Sequence, residues 1–177
     1  EIISGLVGSE MCIRDSTTGN TSINCWEVIN GGDVNSWNLF NNEYRLVYNS
    51  AAHDDYLITP RWNVQSGVSD RITVEARNQT IGTYEENFDI LLSTTGTSTS
   101  DFTETIASNV IPPTSNQSYV YDISAYAGQN VYVAFRSTTT DLNVLYIDNF
   151  KIEGVPSCIE PSSCLLYTSD AADEGSS

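Results

Sequence analysis

Residues 130–137 read NVYVAFRS. Val131, Val133 and Phe135 recur at every second position, with Tyr132, Ala134 and Arg136 between them. A period of two is that of a β-strand, whose successive side chains point to opposite faces, and it does not fit the 3.6 period of a helix. The same alternation recurs outward from this stretch. RITVEA (71–76) puts Ile72, Val74 and Ala76 on one face, and NFDILLS (87–93) puts Phe88, Ile90 and Leu92 on one face with Asp89 opposite. YVYDIS (119–124) offers Tyr119, Tyr121 and Ile123. The connectors NGGDVNS (30–36), STTGTSTSD (93–101), IPPTSNQS (111–118) and AYAGQN (125–130) are rich in turn residues. No segment of helical length carries an apolar stripe. Many strands with such connectors predict an all-β protein, a sandwich of jelly-roll type.

One strand changes phase within itself. In NVLYIDNFKIEG (143–154), Leu145 and Ile147 share one parity while Phe150 and Ile152 share the other. The slip falls at Asp148-Asn149, where an extra bulge residue would cause it, and a bulge there could aim the Asp148 carboxylate. Burial of this last strand on both faces is the alternative reading.

The two ends do not look like the protein between them. Met11-Cys12-Ile13-Arg14-Asp15 and Cys164-Leu165-Leu166-Tyr167-Thr168-Ser169 can be encoded by one DNA element read in opposite orientations. That element resembles the transposase mosaic-end adapter of sequencing libraries. Residues 1–16 and 164–177 are therefore expected to be adapter-derived and are set aside. Residues 17–154 are expected to form the domain, with its first strand missing, and 155–163 to be a linker to a following module. Within 17–163 the acidic residues fall from 23 to 17 and the basic ones from 7 to 6.

About 147 residues make one domain able to bury roughly 68–70% of its unfolded surface. The composition is rich in Thr, Ser, Asn, Tyr and Val, with a single lysine, Lys151. Such residues suit pleated surfaces and turns. The formal charge of the whole chain is −16. Strong negative charge argues against nucleic acid as a partner, because phosphate binding needs a basic footprint. No run of about 20 apolar residues exists to span a membrane. Outside the adapter-like ends two cysteines remain, Cys25 and Cys158. A bridge between them would stabilise by about 5 kcal/mol in the chain-entropy model. Two unpaired thiols, or other partners, are the alternatives.

Five stretches, in order, carry a resemblance: CWEVINGGDVNSW (25–37), HDDYLITP (53–60), YEENFDILLSTTG (84–96), YDISAYAGQNVYVAFR (121–136) and LYIDNFKI (145–152). Together they resemble the cleaved-adhesin, or choice-of-anchor J, domains of bacterial secreted proteins. The gingipain haemagglutinin domains belong to that family, and MAM domains share its jelly-roll plan. The resemblance covers nearly all of residues 24–153. It implies a non-catalytic binding or adhesion module of a larger secreted or cell-surface protein, with an extracellular protein or glycan as ligand and neighbouring domains in the parent chain. SCIEP (157–161) resembles the start of a fibronectin type III module.

Catalytic signals are thin. The single histidine, His53, stands in the loop AAHDDY and reads as a solvated loop residue. No nucleophile elbow, zincin helix or phosphate-binding glycine loop is present. Glu85 and Glu86 are adjacent, and strand neighbours point to opposite faces, so they cannot flank one glycosidic bond. The domain is expected not to be an enzyme. Calcium is the favoured cofactor, because it takes 6–8 oxygens supplied by loops and because the resemblance implies structural calcium. The candidate ligands are Asp33, Asp54, Asp55 and Asp148, foremost Asp55 and Asp148. This chain lacks the richer acidic loop of some relatives, which weakens the site at Asp33. Alternatively Asp54 and Asp55 cap a turn and Asp148 accepts backbone hydrogen bonds. For a ligand platform, Trp26 and Trp37 read as core, Trp62 as an exposed aromatic, and Tyr44 and Tyr48 as residues of one strand parity lining a face. Sequons at Asn20, Asn78 and Asn116 are expected by chance. Two rival readings remain: an accessory domain binding the substrate of a secreted protease or glycosidase, and a structural spacer.

Overall fold

The computed structural model of the chain describes residues 25–31 and 34–154. Eleven strands follow one another: β1 (Glu27–Ile29), β2 (Asn38–Phe40), β3 (Glu43–Val47), β4 (Asp55–Ile58), β5 (Trp62–Asn63), β6 (Arg71–Asn78), β7 (Phe88–Ser93), β8 (Glu104–Val110), β9 (Gln117–Asp122), β10 (Asn130–Ser137) and β11 (Val144–Glu153). Short 3₁₀ turns at Thr99–Asp101 and Ser124–Tyr126 are the only helical pieces among the described residues. One antiparallel sheet has the order β1-β4-β10-β7-β8, with β5 on the end of β10, and the other has the order β2-β3-β11-β6-β9. From β3 onward the chain passes repeatedly from one sheet to the other, which produces the expected jelly-roll sandwich.

The predicted inward faces are the buried ones. Ile72, Val74, Phe88, Ile90, Leu92, Val131, Val133, Phe135, Leu145 and Ile147 have no exposed surface. Aromatic rings fill the middle of the sandwich. Phe135 lies 5.8 Å from Phe150, 6.1 Å from Phe88 and 6.4 Å from Trp26, and Trp26 in turn lies 4.8 Å from Tyr44 with the rings tilted by 38°. Trp37 is buried as expected. A smaller apolar layer covers the outward side of the first sheet, where Tyr56, Ile58, Leu91 and Ala134 pack beneath Phe102. This second layer explains why DYLI and DILL run apolar without strict alternation: β4 is buried on both sides.

The phase slip in β11 is a bulge. Register against β6 shifts between Asp148 and Lys151, and Asn149 adopts φ +49°. The left-handed conformation absorbs one residue, so Ile147 and Phe150 both turn inward. At the β2–β3 hairpin, Asn41 and Asn42 have φ +50° and +66°, the handedness that two-residue hairpin turns require. Cys25 is disulfide-bonded. Cys158, the proposed first-strand gap, the linker at 155–163 and the adapter-like ends lie outside the described residues.

Truncating Phe135 to Ala should cost about 3–5 kcal/mol, the usual range for a fully buried aromatic. Val120→Ala, on the exposed edge strand β9, should stay within about 0.5 kcal/mol of the parent. Urea unfolding of the two variants side by side checks both.

Candidate functional site

Five connections meet at one end of the sandwich: the described residues 30, 31 and 34–37 between β1 and β2, then 48–54, 79–87, 111–116 and 138–143. Backbone hydrogen bonds tie them together. His53 N–H donates to Thr139 O at 2.8 Å, Asp141 N–H to Asn49 O at 3.0 Å, and Asn143 N–H to Tyr84 O at 3.3 Å. The Asn35 amide donates to Tyr48 O at 2.5 Å. Gly31 lies so close that a Cβ there would sit 2.5 Å from Asp54 O.

Beneath these loops is a buried polar layer. His53 Nδ1 and Asp55 Oδ2 are 3.1 Å apart, and Asp55 Oδ1 accepts the Gly31 N–H at 2.8 Å. His53 is 3% exposed, Asp55 0% and Glu86 1%. The Thr139 hydroxyl donates to Glu86 Oε2 and lies 2.9 Å from Ser137 Oγ. Asn78 holds the Glu86 backbone from both sides, its Nδ2 donating to Glu86 O and its Oδ1 accepting from Glu86 N–H, each at 3.0 Å. Burial pushes the Glu86 carboxyl above its ordinary range, opposed by the Thr139 hydrogen bond and the charge of His53.

His53 is thus not the solvated loop residue its sequence setting suggests. The adjacent acid at Asp55 gives its ring a buried partner, and the bond to Thr139 draws its backbone inward. Asn78, though within a sequon, is 1% exposed and fully engaged. Glu85 and Glu86 lie in the connection before β7, and not in a strand as expected, with Glu85 half-buried and Glu86 inside.

The candidate calcium ligands are spread apart. Asp54 is exposed and pairs with Arg136 Nε at 2.8 Å. Asp55 spends one oxygen on Gly31 and the other on His53. Asp148 is in the opposite sheet, in register with Glu75. Asp33 lies outside the described residues. Among the described residues no three His, Cys, Asp or Glu side chains gather as a metal site, so Asp54, Asp55 and Asp148 do not by themselves fit a calcium shell.

The ligand-platform candidates divide. Trp62 is half-buried, 6.2 Å from Phe150, with its indole nitrogen enclosed. Tyr44 packs inward against Trp26. Tyr48 shares the parity of Tyr44, but it follows the end of β3 and emerges at the rim, 45% exposed. Hydrogen bonding to Asp141 and the charge of that carboxylate raise the Tyr48 pKa. Tyr84, 57% exposed, stands on the other side of the same Asp141–Asn143 turn. Sequence reasoning missed Tyr84, Asp141 and Asn143. Their only sequence signal is a polar connector between two strands, which nearly every loop here shares.

The two sheets and the loops at their end define the class of jelly-roll β-sandwich modules. The chain belongs to the cleaved adhesin domain family, whose profile matches residues 11–152. It is 29% identical over 184 aligned residues to Hemagglutinin A of Porphyromonas gingivalis, an alignment covering 80% of this chain and 8% of that protein. Its fold is similar to the K1 cleaved adhesin domain of Lys-gingipain from the same organism, with a TM-score of 0.62, 21% identity, and coverage of 75% of this chain and 92% of that one. It is also similar to TmCBM61, solved in complex with β-1,4-galactotriose, with a TM-score of 0.52, 11% identity, and coverage of 76% and 92%.

Two outcomes follow for the buried layer. A group whose folded pKa is raised contributes stability below its unfolded pKa and loses it as pH rises through the folded value. Glu86→Gln should therefore be more stable than the parent at neutral pH, with the difference vanishing below about pH 4, where the unfolded carboxyl is protonated. Thermal melts across pH 3.5–7.5, on the order of a dozen points, read this directly. Asp55→Ala takes the buried partner from the His53 ring and the acceptor from the partly buried Gly31 N–H, and should cost about 1–3 kcal/mol, measured by denaturant unfolding.

Proposed function

We propose that this domain is a non-catalytic adhesion module of a larger secreted or surface-attached bacterial protein, and that it binds its extracellular ligand through the loop rim. The observation that carries the reading is the exposure of Tyr48 and Tyr84 on opposite sides of one hydrogen-bonded turn. Exposed tyrosines cost little conformational entropy to immobilise and present both an apolar face and a polar tip. The His53–Asp55 pair supports the non-catalytic part. It has the chemistry of a base and its orienter, yet it lies buried with Glu86, Ser137 and Thr139, where a substrate has no access. On this reading residues 1–16 and 164–177 take no part in binding, and residues 155–163 lead towards neighbouring domains.

Beads coated with the full chain should adhere to erythrocytes, and the Tyr48→Ala/Tyr84→Ala double variant should lose most of that adherence while melting at the parental temperature. Adherence unchanged in the double variant would remove the rim from the reading.

Calcium remains the proposed structural ion, because the connections at this end are rich in backbone carbonyls, the oxygen donors calcium prefers. The domain should melt several degrees higher in millimolar calcium than in chelator. Identical melts would rule the ion out.

A further inference from the structure

We propose that the rim is a lectin-type site for an uncharged saccharide, with Tyr48 and Tyr84 as stacking plates flanking the Asp141–Asn143 turn. This rests on the reading of the rim as the adhesive surface and names its ligand class.

The turn is clamped from both sides. Asp141 N–H donates to Asn49 O, beside Tyr48, and the Asp141 carboxylate is near enough to raise the pKa of the Tyr48 hydroxyl. On the other side Asn143 N–H donates to Tyr84 O, and its side-chain amide donates to Thr80 Oγ1 at 3.1 Å. Thr80 Oγ1 donates to Tyr84 O at 3.4 Å. Both aromatic residues are thus fixed to one short segment before any ligand arrives, which lowers the ordering cost of binding. Asp141 holds φ +58°, a left-handed conformation that a short polar side chain tolerates.

A pyranose ring offers an apolar C–H face and a rim of hydroxyls. Tyrosine faces match the first. The second needs acceptors and donors side by side, which the Asp141 carboxylate and the Asn143 amide supply. Charge decides between neutral and anionic sugars. Residues 17–163 hold 17 acidic against 6 basic residues, Asp141 stands in the turn itself, and Arg77 and Arg136, each one residue short of a strand end that leads into these loops, are paired to Glu43 and Asp54. A carboxylated or sulfated sugar would meet negative charge while both of those arginines are already paired. A neutral ring meets no such penalty.

The test is titration of the full chain with β-1,4-galactotriose and N-acetyllactosamine as neutral probes and sialyllactose as the anionic one, followed by calorimetry and by tyrosine-ring resonances. A neutral probe should bind more tightly than sialyllactose, and Tyr48→Ala and Tyr84→Ala should each weaken it by about tenfold, while Val120→Ala leaves it unchanged. Tighter binding of sialyllactose overturns the ligand class, as does binding of a neutral probe that survives both tyrosine substitutions. If no neutral probe binds while erythrocyte adherence still depends on Tyr48 and Tyr84 and is abolished by protease treatment of the cells, the ligand is a protein and the saccharide assignment fails with the adhesive rim intact. Loss of that dependence instead fails the rim reading itself.

Discussion

Phe135 sits with no exposed surface among Phe88, Phe150 and Trp26, and those four rings come from three strands of the two sheets and from the segment leading into β1. Two sheets of alternating pattern can hide their apolar faces only against each other, and here large flat rings set the spacing at which they do so. The Asn149 bulge serves the same constraint. Without one extra residue, β11 could not present both Ile147 and Phe150 to the interior while remaining in register with β6. The positions of the loops at each end follow from that registered sandwich.

At the loop end, burial is polar rather than apolar. Asp55 links the loop before β2 to the loop before β4, and Glu86 links the entry to β7 with the exit from β10. A hydrogen-bonded buried layer stiffens the segments it joins, because each bond lost there leaves a desolvated group without that partner. The rim tyrosines therefore stand on a firm base although their own side chains face solvent. Membership of the cleaved adhesin domain family is what the proposed adhesive role rests on, while the resemblance to more distant jelly rolls speaks to the fold alone.

Much of the fold was legible in the residues. Alternation in RITVEA, NFDILLS and NVYVAFRS named the inward faces because a strand has only two sides, and a half-wetted sheet must sort them. The phase slip at Asp148-Asn149 was visible for the same reason. His53 was misread because the string AAHDDY is polar throughout, and composition cannot tell a solvated loop from one folded over its own end of the core. Trp62 was misread because β5, two residues long, is too short to show a period.

The sequence by itself determined the class of structure, its strand faces, its bulge and its family, all of which depend on contacts a few residues apart or on local order along the chain. Tertiary structure alone decided that His53, Asp55 and Glu86 share one buried layer, that Asp148 stands in the other sheet from Asp55, and that Tyr48 and Tyr84 flank one turn. Those placements join residues from loops far apart in sequence, and only the crossing of the two sheets brings them to the same end.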